Sequence, residues 1–186
     1  EPIIKAFRKQ AIRFNFVGEA GFFQEPIIKD VTAYPKVISN PLENNVEIVR
    51  ILNRNNYGIK QIEICKFNCY ADQKNLSLYE VFDHLSELDV DKFKFLQVKQ
   101  TLSDLIGSKK RLRTLDLIHS LLFEREFYKY EIAIQNNRNI VLLNQFYEFA
   151  EEFNNIYPDN DIEDLTEYLS FASNFEIEEK NLEEQA

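Results

Sequence analysis

The chain has 186 residues and a mass of 22.1 kDa, the size of one domain or of one domain with a tail. It is 45% apolar with 16 Phe and 9 Tyr but only 4 Gly and 5 Pro, which argues for long helices and against a turn-rich sandwich or barrel. Its longest unbroken aliphatic run is Ile140 to Leu143, its N-terminus lacks a basic segment leading into an apolar one, and its 2 Cys make no disulfide framework, so a membrane span, a signal peptide and a secreted scaffold are not expected.

Ile3 to Gln10 reads as a short helix end. Ile12 to Val17 alternates apolar and polar residues, the period of a short strand, closed by Gly18 and Gly21. Pro26 suits a first helical position, and a helix should run to about Ile38, with a kink or an early end at Pro35. Asn40-Pro41-Leu42-Glu43 has the form of a cap for a next helix carrying Val46, Val49, Ile51 and Leu52 and stopping near Asn53. Arg54 to Gly58 reads as a turn, and Ile62, Cys65, Phe67 and Cys69 open another helix.

Ser77-Leu78-Tyr79-Glu80 has the spacing of a capping box, starting a helix with Leu78, Val81, Phe82 and Leu85. Asp91 should cap a longer helix bearing Phe93, Leu96, Leu105 and Ile106 and closed by Gly107. Ser108 would then cap a helix with Leu112, Leu115, Ile118, Leu121 and Leu122 on one face. Leu142, Phe146, Phe149, Phe153 and Tyr157 share another face, broken by Pro158. Asp161 to Ser173 is the last predicted helix, and the Glu-rich stretch after it reads as disorder or a linker. The fold class is therefore mainly α, with one short N-terminal strand.

The formal net charge of −9 is uneven. Nine acids and a single Lys fall in residues 161–186, which leaves the rest of the chain nearly neutral and open to a basic face. Between residues 92 and 113 seven cations face Asp104 alone.

Enzyme signatures are missing. None of the glycines at 18, 21, 58 and 107 precedes a Lys-Ser or Lys-Thr pair, so there is no phosphate-cradling P-loop, and no G-x-G-x-x-G exists. Cys65 and Cys69 share a helix face but lack the further ligands a zinc site needs, and read as small core residues. His84 and His119 have no paired spacing, and the carboxylates read as solvated helix faces. The chain by itself is not expected to be catalytic or to hold a cofactor. An enzyme using Cys65 or paired carboxylates and a non-catalytic helical protein-interaction module with an acidic tail are the rival readings.

Two features point to nucleic acid. Tyr57-Gly58-Ile59-Lys60 lies between two predicted helices. It has the form of either an ordinary inter-helix turn or a helix-hairpin-helix, whose backbone N–H groups and helix N-terminus bind a phosphate, with Lys60 adding charge. Lys109, Lys110, Arg111 and Arg113 would fall in the first turns of a helix capped by Ser108. That is the wrong end of its dipole, so the stretch is either a phosphate site or a solvated loop.

Two stretches carry a family likeness. Val17-Gly18-Glu19-Ala20-Gly21-Phe22-Phe23-Gln24-Glu25-Pro26-Ile27-Ile28-Lys29-Asp30, continuing through Ala33-Tyr34 to Ile38-Ser39-Asn40-Pro41, and Arg50-Ile51-Leu52-Asn53 followed by Tyr57-Gly58-Ile59, together resemble the UvrD/Rep/PcrA family of superfamily 1 DNA helicases. The pattern there is roughly V-G-G-x-x-F-F-E-x-x-E-I-K-D, then A-Y-x-x-x-I-x-N-P, then R-x-L-N and a G-I-G loop. The resemblance implies that residues 1–21 are the edge of the second RecA-like motor domain. Residues 22–174 would be the helical 2B accessory domain, and residues 175–186 an acidic linker back to the motor domain. It implies a parent that hydrolyses ATP with Mg between two motor domains, moves 3′ to 5′ on single-stranded DNA, and acts in the cytoplasm. The absence of Met fits a segment of something longer.

By the same resemblance Gly58 and Ile59 contact duplex DNA, while Lys60 replaces the second Gly of the loop. Glu19, Gln24 and Ile27 also depart from the pattern, and Pro35 interrupts a helix that the family leaves intact. The resemblance places Phe22 and Phe23 as core anchors where the chain enters the domain, and Lys29 and Asp30 as polar contacts at its boundary.

Overall fold

The computed structural model describes residues 21–125 and 127–183, with side chains as far as Asn174. The predicted strand and the helix end before it lie outside the described residues. Those that are described form a mainly α fold, with no strand among them.

Gly21 starts the described chain at φ 98°, a conformation open to Gly, and Phe22–Gln24 makes a 3₁₀ turn with both Phe rings buried. α1 follows, Pro26–Ser39. It is the hub of the fold: α2 (Asn45–Leu52), α5 (Lys92–Ser108), α8 (Asn137–Ile156) and α9 (Ile162–Glu183) all pack on it. Ile28, Val31, Tyr34 and Val37 are fully enclosed. Neighbours on several sides explain why α1 does not end at Pro35. Losing one backbone hydrogen bond costs less than withdrawing Val37 and Ile38 from the core, each worth ~1.5–3 kcal/mol.

Asn40 is not the cap of the next helix. Asn44 is, and its side-chain amide reaches back to the carbonyl oxygens of Lys36 and Asn40 at 2.9 and 2.7 Å, closing the C-terminus of α1. α3 spans Gln61–Lys74. It buries Ile64, Phe67 and Ala71, which turns Cys65 and Cys69 to solvent: both thiols are exposed, and the reading of them as core residues is corrected.

The Ser77 capping box forms as expected. The Glu80 carboxylate accepts from the Ser77 N–H at 2.8 Å, and the Ser77 hydroxyl accepts from the Glu80 N–H at 3.3 Å. Its helix, α4, is short (Leu78–Val81) and tightens into a 3₁₀ stretch, Phe82–Glu87. Asp91 precedes α5, but α5 buries Phe95, Val98, Leu102 and Leu105. Phe93 and Leu96 stay exposed at 69% and 49%, because two apolar series overlap on this helix and the core takes the other one.

Gly107 does not close α5, which runs to Ser108. The helix expected from Ser108 instead starts at Thr114: α6 is Thr114–His119 and gives way to a π turn, Ser120–Arg125. α7 is Tyr128–Ala133, and α8 buries Leu143, Phe146, Phe149 and Phe153 before ending ahead of Pro158. α9 does not stop at Ser173 but continues to Glu183, since no Gly or Pro follows and the Glu-rich sequence favours helix.

Candidate nucleic-acid interface

The segment between α2 and α3 is a tight hairpin. Arg54, Tyr57 and Gly58 donate their N–H groups to Ile51, Arg54 and Asn55 carbonyls, each at 3.2 Å. Gly58 sits at φ 60°, in the left-handed region. A Cβ there would meet only the Lys94 ammonium at 3.9 Å, so backbone conformation, not crowding, calls for Gly. Tyr57 is 8% exposed and its hydroxyl lies 3.1 Å from that of Tyr34, inside the core. The hairpin therefore presents Gly58 and Lys60 fully, and Ile59 in part, to solvent.

What fixes the hairpin is Arg54, which the sequence offers only as a turn residue. It is 6% exposed, its guanidinium lies 3.7 Å over the Phe127 ring, and it donates to the Tyr34 hydroxyl at 3.2 Å. One buried cation thus ties the loop to α1 and to the start of α7.

Lys60 is the extended residue ahead of α3. Gln61 and Ile62, at the first two helical positions, are exposed. Glu63 holds the junction together. Its carboxylate accepts from the Lys60 N–H at 3.0 Å and from the Asp91 N–H at 2.6 Å, clasping the starts of α3 and α5. Lys94 completes the clasp, donating to the Gly58 carbonyl at 2.6 Å and facing the Asp91 carboxylate at 3.6 Å.

The Asp91 N–H, then the Lys60 N–H and the Lys94 charge, hold the Glu63 carboxyl below the usual carboxylate range. A group with a depressed folded pKa stabilises above its unfolded value, and that contribution is lost as pH falls through the folded one. The melting temperature should therefore fall on acidification below about pH 5, and Glu63→Gln should make that fall shallower, as a calorimetric pH series would record.

The second basic stretch lies elsewhere. The first cation follows the C-terminus of α5, where Lys109 donates its N–H to Leu105 and Ile106 carbonyls. Lys109 to Arg111 thus follow the favourable end of the α5 dipole, and only Arg113 stands at the start of the next helix, α6. Lys109 pairs with Glu163 and reaches the Ser39 carbonyl at 3.4 Å, joining α5 to α9 and α1. Lys110 and Arg111 are exposed, and Arg113 pairs with Asp116 at 3.1 Å. Lys94 and Lys109 are fifteen residues apart on α5, about 22 Å along its axis. The fold does not bring the hairpin and this stretch together.

Phe22 and Phe23 are buried, and Asp30 pairs with Arg50 at 2.8 Å. Burial pushes the Asp30 carboxyl up, against the opposing charges of Arg50 and Arg54. Both Lys29 and Asp30 line an open cleft of about 790 Å³ between α1, α2 and α9. The sequence has no P-loop, and among the described residues there is no cluster of three His, Cys, Asp or Glu that could hold a metal. No helix of the described residues is long and apolar enough to cross a membrane.

The chain is 28% identical over 182 residues to the ATP-dependent DNA helicase PcrA of Staphylococcus aureus, and 27% identical over the same length to the PcrA of Staphylococcus epidermidis. These matches cover 98% of the chain but 22% of each relative, so it spans about a fifth of their length. The family model described as the UvrD-like helicase C-terminal domain matches residues 1–186. With the whole sequence matched, from the opening glycines through the hairpin to the acidic end, the chain belongs to the UvrD-like helicase C-terminal domain family.

Proposed function

We propose that the chain is the 2B accessory domain, with its flanks, of an ATP-dependent 3′–5′ DNA helicase, and that it grips duplex DNA ahead of the fork and regulates unwinding. In this reading residues 1–21 belong to the edge of the second motor domain, residues 22–174 to the accessory domain and residues 175–186 to the return connection. ATP, Mg and single-stranded DNA engage the rest of the parent, and the motor domains are the partners of this one. The hairpin carries the proposal: a left-handed Gly58, a half-exposed Ile59, an exposed Lys60 and the start of α3 beside them suit a duplex phosphate and read no sequence. Lys110, Arg111 and Arg113, far along α5, would meet DNA only on a separate face.

Lys60→Glu in the full 186-residue chain should weaken duplex binding and reduce the slope of log affinity against log salt by about 0.9, one phosphate contact. Fluorescence anisotropy with a labelled duplex across a salt titration measures both. An unchanged slope would remove Lys60 from the contact. No binding at low salt by the unsubstituted chain would favour a protein-interaction module.

A further inference from the structure

A polar groove of about 570 Å³ opens beside the hairpin, between Asn56–Tyr57, the outer side of α5 and the side chains of Arg125, Lys129 and Tyr130. No aliphatic side chain lines it, which sets it apart from a drug-like pocket or a groove for an amphipathic helix. Lys94, Gln97, Thr101 and Asp104 follow one another at the three- and four-residue spacing of a single helix stripe. The stripe begins where Lys94 touches the Gly58 carbonyl and ends about 15 Å further along α5, at Asp104.

That end carries the charge. Arg125 pairs with the Asp104 carboxylate at 2.8 Å, and the Gln100 amide donates to its other oxygen at 2.7 Å. The acid is thereby compensated, and the guanidinium, with five N–H donors, keeps others for a ligand. Lys129 stands across the groove, exposed, with its ammonium 2.7 Å from the Glu124 carbonyl.

We infer that this groove is a second contact for duplex DNA, taking the sugar–phosphate backbone of the strand that the hairpin holds; the inference rests on the hairpin reading above. About 15 Å spans roughly four base-pair rises of 3.4 Å along the duplex axis. The exposed Gln97 amide and Lys129 ammonium, with the Arg125 guanidinium, are donors of the kind that meet phosphate and sugar oxygens without reading bases.

Gln97→Glu tests it, because the residue is exposed and the change keeps its shape while adding a negative charge. Lys129→Glu is the second variant. Gln73→Glu, near the far end of α3 and about 18 Å from Gln61 along the axis, controls for net charge. With the full chain and a labelled duplex, Gln97→Glu and Lys129→Glu should each lower affinity roughly fivefold at about 50 mM salt, and Lys129→Glu should reduce the salt slope by about 0.9. Gln73→Glu should match the unsubstituted chain. If Lys60→Glu weakens binding while both groove variants behave like Gln73→Glu, the groove inference falls and the hairpin reading stands. If the groove variants weaken binding of a single-stranded oligonucleotide and leave the duplex unaffected, the inference is overturned in favour of a separate strand. If the unsubstituted chain binds no duplex, both readings fail together.

Discussion

Arg54→Ala should lower the unfolding free energy by about 2–4 kcal/mol. The guanidinium is enclosed between Phe127 at 3.7 Å and the Tyr34 hydroxyl at 3.2 Å, so truncation removes a desolvated cation–π contact and a buried donor and leaves a gap. Arg54→Lys should recover less than half of the loss, since an ammonium cannot lie flat on the Phe127 ring and donate to Tyr34 in the same pose. Arg54→Met should cost the least of the three, because it keeps the volume and the Tyr34 and Tyr57 hydroxyls, 3.1 Å apart, still have each other. Urea unfolding of the three variants gives the order; equal losses for Lys and Met beside a larger one for Ala would mean that volume alone matters at this site. Duplex affinity should fall with Arg54→Ala even at temperatures where the chain remains folded, because Arg54 holds the loop that carries Gly58 and Lys60.

Phe67→Ala should cost about 3–5 kcal/mol. Phe67 is fully buried and its ring centroid lies 5.0 Å from those of both Phe82 and Phe95. It is the point at which α3 meets the 3₁₀ stretch after α4 and the inner face of α5. In urea the midpoint should drop while the slope stays the same, the sign of lost stability without a change in the surface exposed on unfolding. A loss below about 1 kcal/mol would mean that Phe82 and Phe95 close over the space. Because α3 begins at the hairpin, the same variant should loosen the Glu63 clasp, and the pH dependence of melting should flatten with it.

Helix existence was readable wherever one apolar series dominated. Phe146, Phe149 and Phe153 mark a single face, and Pro158 ends the helix that bears them. Where two series overlapped the sequence was silent. Phe93/Leu96 and Phe95/Val98 both run along α5, and only the partners across the core choose between them. Ends set by tertiary contact were also hidden. Pro35 survives inside α1 because the helix is held on several sides, and Ser108 ends α5 instead of starting α6 because Lys109 is drawn to Glu163. The hairpin was legible through Gly58, whose conformation is local. Its support was not: Arg54, Glu63 and Lys94 act on partners 20, 28 and 36 residues away, and nothing local distinguishes them from surface charges.

The placement of α9 against α1 has a consequence for any longer chain that carries this segment internally. Phe23 and Lys29, near the start of the described chain, line the same cleft as Ser173 and Asn174 in the middle of α9. Some 150 residues therefore leave and return at neighbouring points. As a disordered insertion they would cost a host roughly 4 kcal/mol in loop closure. Folded on their own core they present two adjacent ends, and to the host they are no longer than a tight turn.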